Sequence, residues 1–291
     1  MKPASRSFWL ETLPELGKFR ITIAVSFTTI TGFILATGGL SLTVVLPTLG
    51  LFILACGSSA LNHYQEAATD AIMERTRNRP IPSGRISLSG ALIVGMIWVL
   101  TGSVILYLCA GFVALQLGLL ALLWYNGVYT PLKKRTAFAV IPGSLIGAIP
   151  PAVGWVAGGG AVSDPRIILV AFFFFIWQVP HFWLLLLKYG SEYENAGLPS
   201  VTRFYSDSQI RRMTFIWTSG TIATALMIPL FGLITSWVPL VLLLLGCLWL
   251  FFAFVGLLKP AGTTLNPGTY FLKINLFAVL VMVSLIMDQF I

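Results

Sequence analysis

Nine apolar stretches of about 20 residues each fill most of this chain, and they decide its fold class. An α-helix needs about 20 apolar residues to cross the hydrocarbon core of a bilayer. Charged residues make up only 10% of the sequence, against about 25% in soluble domains. The sequence therefore predicts an all-α, polytopic membrane protein with nine transmembrane helices in a single domain, residues 1–291. The predicted spans are residues 20–38, 42–66, 88–108, 111–130, 138–157, 167–187, 213–232, 237–257 and 270–290.

The basic residues predict the orientation of these helices. Of the 18 lysines and arginines, all but Arg166 fall in segments that nine spans place on one side of the membrane. Because basic segments stay in the cytoplasm, we assign that side to the cytoplasm. Residues 1–17 then form a cytoplasmic N-terminal segment, in which residues 8–16 are expected to make a short interfacial helix. The same assignment explains the net charge of +8 without a nucleic-acid partner.

Three oxygen-bearing side chains follow one another at intervals of four residues near the end of the second predicted span. Asn62, Glu66 and Asp70 advance about 40° per step around a helix, so they share one face over about 12 Å. Hard divalent cations prefer oxygen ligands, and Mg2+ completes its shell with substrate phosphate and water. We call these three residues the acidic ladder, and they predict a Mg2+ site for a phosphorylated substrate.

A basic cluster follows the acidic ladder directly. Arg75, Arg77 and Arg79 lie close together, and guanidinium groups bind phosphate oxygens through paired hydrogen bonds. The alternative is that these arginines only follow the positive-inside pattern and contact anionic membrane lipid. The ladder and the arginines together favour a diphosphate.

Two further polar clusters end the predicted fourth and sixth spans. Asn126 and Tyr129 lie within an apolar run, where a buried polar group needs a ligand or a neighbouring helix as its partner. Glu192 follows the sixth span, where it is either a ligand in a second metal-binding half or part of a solvated loop.

These stretches resemble the UbiA-type intramembrane prenyltransferase superfamily. Its first acidic motif is written N-x-x-x-D-x-x-x-D, and residues 62–70 match it with Glu66 in the middle position. Within that superfamily the sequence is similar to the protoheme IX farnesyltransferase family, and the hexapeptide Trp-Gln-Val-Pro-His-Phe at 177–182 resembles that family's W-Q-x-P-H-F signature. The other similar stretches are residues 73–80, 129–136 and 147–155. After Pro199 the chain departs from the family's pattern.

The resemblance implies a fold, a reaction and a set of partners. The nine helices would surround a central cavity that opens to the cytoplasmic side of a bacterial inner membrane. The farnesyl group of farnesyl diphosphate would be transferred to a vinyl group of haem b, with addition of water, to give haem O and diphosphate. Mg2+ would be the cofactor, and a haem A synthase would act downstream.

The resemblance also implies roles for individual residues. The expected metal ligands are Asn62, Glu66, Asp70 and Glu192. The expected substrate-binding residues are Arg75, Arg79, Lys133, Arg135 and Asn126. The expected catalytic residues are Asp70, Tyr129 and His181. His181 would ligate haem iron or order the water that adds, or it would only cap a kinked helix. Aromatic walls for an allylic cation are expected at Tyr125, Tyr129, Trp177 and Phe182.

Three other functions compete with this interpretation. The same fold could prenylate a quinone precursor or another aromatic acceptor, although the His181 signature argues against it. A transporter would place ionisable groups near the bilayer midplane, whereas here the charges gather at one edge. Phosphatidyl transfer to an alcohol would need a D-x-x-D-G-x-x-A-R pattern, which the sequence lacks.

Overall fold

The computed structural model describes residues 6–259 and 265–291, and within them it is all-helical, as the apolar runs predict. The first five residues of the predicted N-terminal segment lie outside the described part. The α-helices are α1 Arg6–Leu16, α2 Phe19–Thr37, α3 Val45–Ile72, α4 Leu88–Leu123, α5 Thr130–Leu132, α6 Val140–Gly143, α7 Leu145–Ala157, α8 Pro165–Asn195, α9 Asp207–Met227, α10 Trp237–Val255 and α11 Pro267–Asp288. Short 3-10 helices cover Leu42–Val44, Val201–Arg203, Pro229–Phe231 and Gly256–Leu258. A π-helix, Trp124–Tyr129, joins α4 to α5.

Eight helical segments of the described chain are long and apolar enough to cross a membrane. They are Phe19–Thr37, Leu42–Ile72, Leu88–Leu132, Val140–Ala157, Pro165–Asn195, Asp207–Phe231, Trp237–Leu258 and Pro267–Asp288. The count differs from the predicted nine at one place, because the segment 88–132 corresponds to two predicted spans. The exact number of nine crossings therefore stays a prediction.

The segment Leu88–Leu132 is bent back on itself at Gly111, where the sequence predicts a turn. Gly111 has φ 82° and ψ −177°, a conformation that is open essentially only to glycine. Gly102 and Gly118 both approach Leu54: a Cβ added to Gly102 would lie 2.5 Å from Leu54 N, and one added to Gly118 would lie 2.8 Å from Leu54 Cδ2. A straight helix would separate these two glycines by about 24 Å, so the two arms must run in opposite directions.

Small residues let α2 and α7 pack backbone to backbone. A Cβ on Gly32 would lie 1.9 Å from Pro151 O, and a Cβ on Gly154 would lie 1.8 Å from Thr29 O. Helices in lipid associate through close approach of this kind, because the burial of apolar surface contributes little to their association there. The contact fixes one wall of the space that α2, α3, α4, α7 and α8 enclose.

The short helix α1 forms where the sequence predicts an interfacial helix. Its Leu16 is fully buried and packs in one cluster with Ala60 of α3 and with Ile86 and Ala91. This contact pins the turn between α1 and α2 against α3 near the acidic ladder.

Candidate functional site

A cavity of about 860 Å³ lies between the helices. Polar side chains line one part of it, and apolar side chains line the rest. Its size falls within the usual range for small-molecule sites, about 300–1,000 Å³. Val25, Leu51, Leu54, Leu122 and Ile146 line the apolar part. Its predicted polar lining residues are Asn62, Glu66, Asp70, Arg75, Arg79 and Lys133.

All three members of the acidic ladder lie together in this cavity. Their register on α3 turns them to one face, and Asn62, Glu66 and Asp70 are only 1%, 5% and 4% exposed. Burying carboxylates is costly unless a partner compensates their charge. Partners are therefore expected close by.

Each member of the ladder is paired with a basic side chain. Arg79 Nη1 donates to both carboxylate oxygens of Asp70, at 2.8 and 2.7 Å. Lys133 forms an ion pair with Glu66. Lys18 Nζ donates to Asn62 Oδ1 at 2.6 Å, across 44 residues of sequence. We call Arg79, Lys133 and Lys18 the three ladder cations.

The orientation of the Asn62 amide is fixed by a chain of hydrogen bonds. Thr130 Oγ1 donates to Tyr125 O at 2.8 Å, so this oxygen can only accept from Asn62 Nδ2, which lies 3.1 Å away. The amide nitrogen therefore faces Thr130, and Oδ1 is presented to Lys18 and the cavity. The π-helix makes this possible, because its wider turn brings Thr130 over the carbonyl of Tyr125, and single π-helical turns are frequent at functional sites.

Lys18 is the site residue that the sequence interpretation missed. There it counted only as one of the basic residues that precede the first span. In the structure it lines the cavity, and its Nζ also donates to the Tyr125 hydroxyl at 3.1 Å. Burial, and next the positive charge of Arg79, lower the pKa of Lys18 from 10.5 to about 7.

Lys133 shows the opposite electrostatic outcome. Burial is the largest influence and would lower the pKa of its ammonium group. The charge and hydrogen bond of the adjacent Glu66 carboxylate, together with Tyr125 and Tyr193, outweigh burial, so the pKa of Lys133 is raised. The lysine of this pair is therefore held in its charged form.

Aromatic rings form the wall beside the ladder cations. Tyr125 and Tyr129 are stacked with their ring centroids 5.9 Å apart, and Phe182 of α8 lies 6.3 Å from Tyr129. Trp177 is not part of this lining, since its Nε1 donates to Ile274 O of α11 at 2.9 Å.

Besides Trp177 and His181, three further predicted residues lie outside the cavity lining. Asn126 is buried and satisfied by α3: it accepts from Ser58 Oγ at 2.6 Å and donates to Ser58 O and Gln65 Oε1 at 3.0 and 3.1 Å. Arg135 is exposed to solvent. Glu192 accepts from the backbone nitrogen of Arg75 at 3.2 Å, which ties it to the loop after α3, and it is not among the cavity-lining residues.

His181 lies on α8 beside the cavity lining, packed against α11. Asn275 Nδ2 donates to Phe271 O at 2.7 Å, so the oxygen of this amide faces His181 Nδ1, 3.0 Å away. Nδ1 must then carry the proton, and Nε2 keeps its lone pair. The rings of Trp177 and Phe271 lie 4.8 and 4.6 Å from the imidazole.

The donor set of the ladder fits a hard divalent cation. Two carboxylates and an amide oxygen suit Mg2+, which takes few protein ligands and shares the rest of its shell with phosphate and water. Among the described residues no group of three or more His, Cys, Asp or Glu comes together that could enclose a metal by itself. The ladder therefore leaves the rest of a Mg2+ shell to water and to an anionic substrate.

Comparison with known proteins adds the family context. The sequence model of the UbiA prenyltransferase family matches residues 25–277. A relative from Oleidesulfovibrio alaskensis, named protoheme IX farnesyltransferase, is 33% identical over 280 residues, which cover 96% of this chain and 97% of the relative. A relative of the same name from Geobacter sulfurreducens is 39% identical over 244 residues, which cover 80% and 88%.

The fold also has a counterpart among solved structures. A UbiA homolog from Archaeoglobus fulgidus, solved with GPP and Mg2+ bound, matches with a TM-score of 0.69 over 96% of this chain and 100% of that chain. At 14% sequence identity this likeness concerns the fold alone.

Proposed function

This chain belongs to the UbiA prenyltransferase family, and we propose that it transfers the farnesyl group of farnesyl diphosphate to a vinyl group of haem b. It is an integral, multi-pass membrane enzyme. The observation that carries the proposal is the match, over nearly the whole chain, to a relative named protoheme IX farnesyltransferase. The cavity supports it, because it joins a cationic and acidic end to a long apolar interior.

The reaction breaks one C–O bond and forms one C–C and one C–O bond. The bond between farnesyl C1 and the diphosphate oxygen breaks, and its electron pair leaves with the diphosphate. The vinyl π electrons form the new bond to C1, which leaves a cation on the inner vinyl carbon. Water adds to that carbon and loses a proton, so the product carries a farnesyl and a hydroxyl group.

The polar end of the cavity handles the leaving group. Asn62, Glu66 and Asp70 would hold Mg2+, which neutralises charge on the diphosphate as it departs. The cations Arg79 and Lys133 stand at the ladder and are placed to bind diphosphate oxygens. Fixed positive charges of this kind stabilise the negative charge that develops on the leaving group. Surroundings of low polarity make this electrostatic interaction stronger.

Other predicted residues take supporting roles at this end. Arg75 lines the cavity with its side chain over the Tyr189 ring, 5.3 Å from the centroid, and serves as an outer diphosphate contact. Glu192 positions the Arg75 loop through its backbone hydrogen bond. Asn126 fixes the π-helix against α3, and exposed Arg135 meets diphosphate only on its way in.

The aromatic wall handles the allylic cation. Tyr125, Tyr129 and Phe182 line the cavity, and the faces of aromatic rings attract positive charge. The apolar lining below excludes water from the cation until the vinyl group reacts.

His181 recognises the acceptor. Its Nε2 lone pair is the form of imidazole that ligates haem iron, and its Nδ1–H is held by Asn275. The flanking rings of Trp177 and Phe271 suit the flat faces of a porphyrin.

The topology that fits this chemistry places the polar end of the cavity in the cytoplasm, with the N-terminus on the same side. The membrane would be the bacterial inner membrane, where an enzyme that oxidises the product further, a haem A synthase, could receive it. The basic residues support this orientation through the positive-inside rule.

The test is product analysis with purified protein in lipid. Haem b, farnesyl diphosphate and Mg2+ should give a haem whose mass has risen by one farnesyl and one hydroxyl group. A prenylated quinone precursor, formed under the same conditions while haem b stays unchanged, would replace this proposal with the rival acceptor. Release of diphosphate with neither product would exclude both.

A further inference from the structure

We propose that Lys18 is a resident counter-cation of the acidic ladder: it donates to Asn62 Oδ1 when no divalent cation is bound at that oxygen, and it pairs with the diphosphate when the cation is bound. The proposal rests on the proposed function for the identity of the diphosphate substrate. It assigns to Lys18 an exchange of partners that couples the binding of metal and substrate.

The first support is the geometry of the contact. Lys18 Nζ lies 2.6 Å from Asn62 Oδ1, and the hydrogen-bond chain through Thr130 leaves that oxygen as the only cation-binding atom of the amide. A bound Mg2+ would stand about 2.1 Å from the same oxygen. An ammonium group and a divalent cation that share one oxygen repel each other strongly, so metal binding favours withdrawal of the lysine.

The second support is the backbone of Lys18. It has φ 49° and ψ 49°, and it is the only non-glycine residue in the described part of the chain with a positive φ. Side chains other than glycine rarely adopt this conformation, and such strain persists where surrounding structure imposes it, often at ligand sites. Here the burial of Leu16 against α3 holds the turn that aims Lys18 into the cavity.

The third support is the difference between the three ladder cations. Arg79 and Lys133 face full negative charges on Asp70 and Glu66, whereas Lys18 faces a neutral amide and a phenol. Removing an ammonium group from a neutral oxygen costs less free energy than separating an ion pair. Lys18 is therefore the cation that leaves its partner first, and it is the one free to follow the diphosphate.

The proposal predicts effects of opposite sign on two ligands. Lys18→Met removes the competing charge, so the affinity for Mn2+ alone, measured by electron paramagnetic resonance in detergent, should rise about tenfold. The same change removes a charge-assisted hydrogen bond, so the affinity for inorganic diphosphate, measured by calorimetry with Mg2+ present, should fall about tenfold. Lys18→Gln should show the same split, and Lys18→Arg should bind both ligands like the unaltered protein.

The control is Lys259→Met, which removes one positive charge from an exposed lysine outside the cavity lining. It should alter neither affinity by more than about twofold, since exposed charges are screened. Weaker binding of both ligands in the two neutral Lys18 variants would overturn the proposal, because it would make Lys18 a structural residue. Unchanged binding of both would overturn it too. If the Mn2+ and diphosphate affinities shift in opposite directions but the product assay yields no farnesylated haem, this proposal stands and haem b is refuted as the acceptor.

Discussion

Asp70 carries the most testable part of the site, because its carboxylate is both a proposed Mg2+ ligand and the partner of Arg79. The Asp70 side chain is only 5% exposed and that of Arg79 is 20% exposed. Replacing Asp70 with Asn keeps the shape and removes the charge. Breaking a buried ion pair from one side costs about 3–5 kcal/mol.

Asp70→Asn should weaken stabilisation of the transition state as well as the stability of the fold. If about 3–4 kcal/mol of stabilisation is lost there, turnover drops between about a hundredfold and a thousandfold, since each 1.36 kcal/mol is tenfold. The assay is the rate of farnesylated haem formation as Mg2+ is varied, with folded protein counted by its thermal transition. The half-saturating Mg2+ concentration should rise together with the loss of rate.

Asp164→Asn is the matched control for Asp70→Asn. Asp164 also pairs with an arginine, Arg166 at 2.7 Å, but it lies at the N-terminus of α8, away from the cavity lining. Asn caps helices about as well as Asp, so activity should stay within about twofold. A loss of less than about fivefold in Asp70→Asn, with an unchanged Mg2+ requirement, would refute the role of the ladder.

Three further predictions concern the acceptor, the fold and the topology. His181→Ala should abolish the change in the haem absorption spectrum on binding, and Asn275→Leu should weaken it without unfolding the protein; an unchanged spectrum in both would remove the iron contact. Gly111→Val should lower the free energy of unfolding by about 1–3 kcal/mol, because only glycine tolerates the backbone conformation at that position. The measurement is thermal unfolding in detergent. Gly39→Ala is the control and should be neutral, since Gly39 lies in open space and does not have a positive φ. Cys109, which is exposed beside the turn at Gly111, should react with a membrane-impermeant maleimide added outside the cell; reaction only from the cytoplasmic side would contradict the assigned orientation.

The sequence predicted those parts of the site that depend on local helical geometry. Asn62, Glu66 and Asp70 belong to one helix, so their spacing alone placed them on one face. Lys18 could not be found this way, because its partner lies 44 residues away and its side chain enters the cavity only through a left-handed turn. The sequence contains one weak signal: the Gly17-Lys18 pair directly follows the short helix α1, and glycine at such a position indicates a turn.

The same limit explains the predicted residues that lie elsewhere. Lys133 and Arg135 are two residues apart, and no periodicity decides which of them enters the cavity after a helix has ended. The structure turns Lys133 inward to Glu66 and leaves Arg135 in solvent. Asn126 was expected to have a ligand or a helix as its partner, and its hydrogen bonds to Ser58 and Gln65 show the helix.

Helix α8 links the two halves of the proposed reaction through its own periodicity. Phe182 and Tyr189 face the cavity and the donor, since they share a stripe at an interval of seven residues. His181 precedes Phe182 by one position, which turns it about 100° away and towards Asn275 of α11. In the proposed reaction, a haem held at His181 would therefore use a different side of this helix from the isoprenoid donor. The proposed donor and acceptor contacts would then be separated by one step along a single helix, so neither substrate would need the other's side chains.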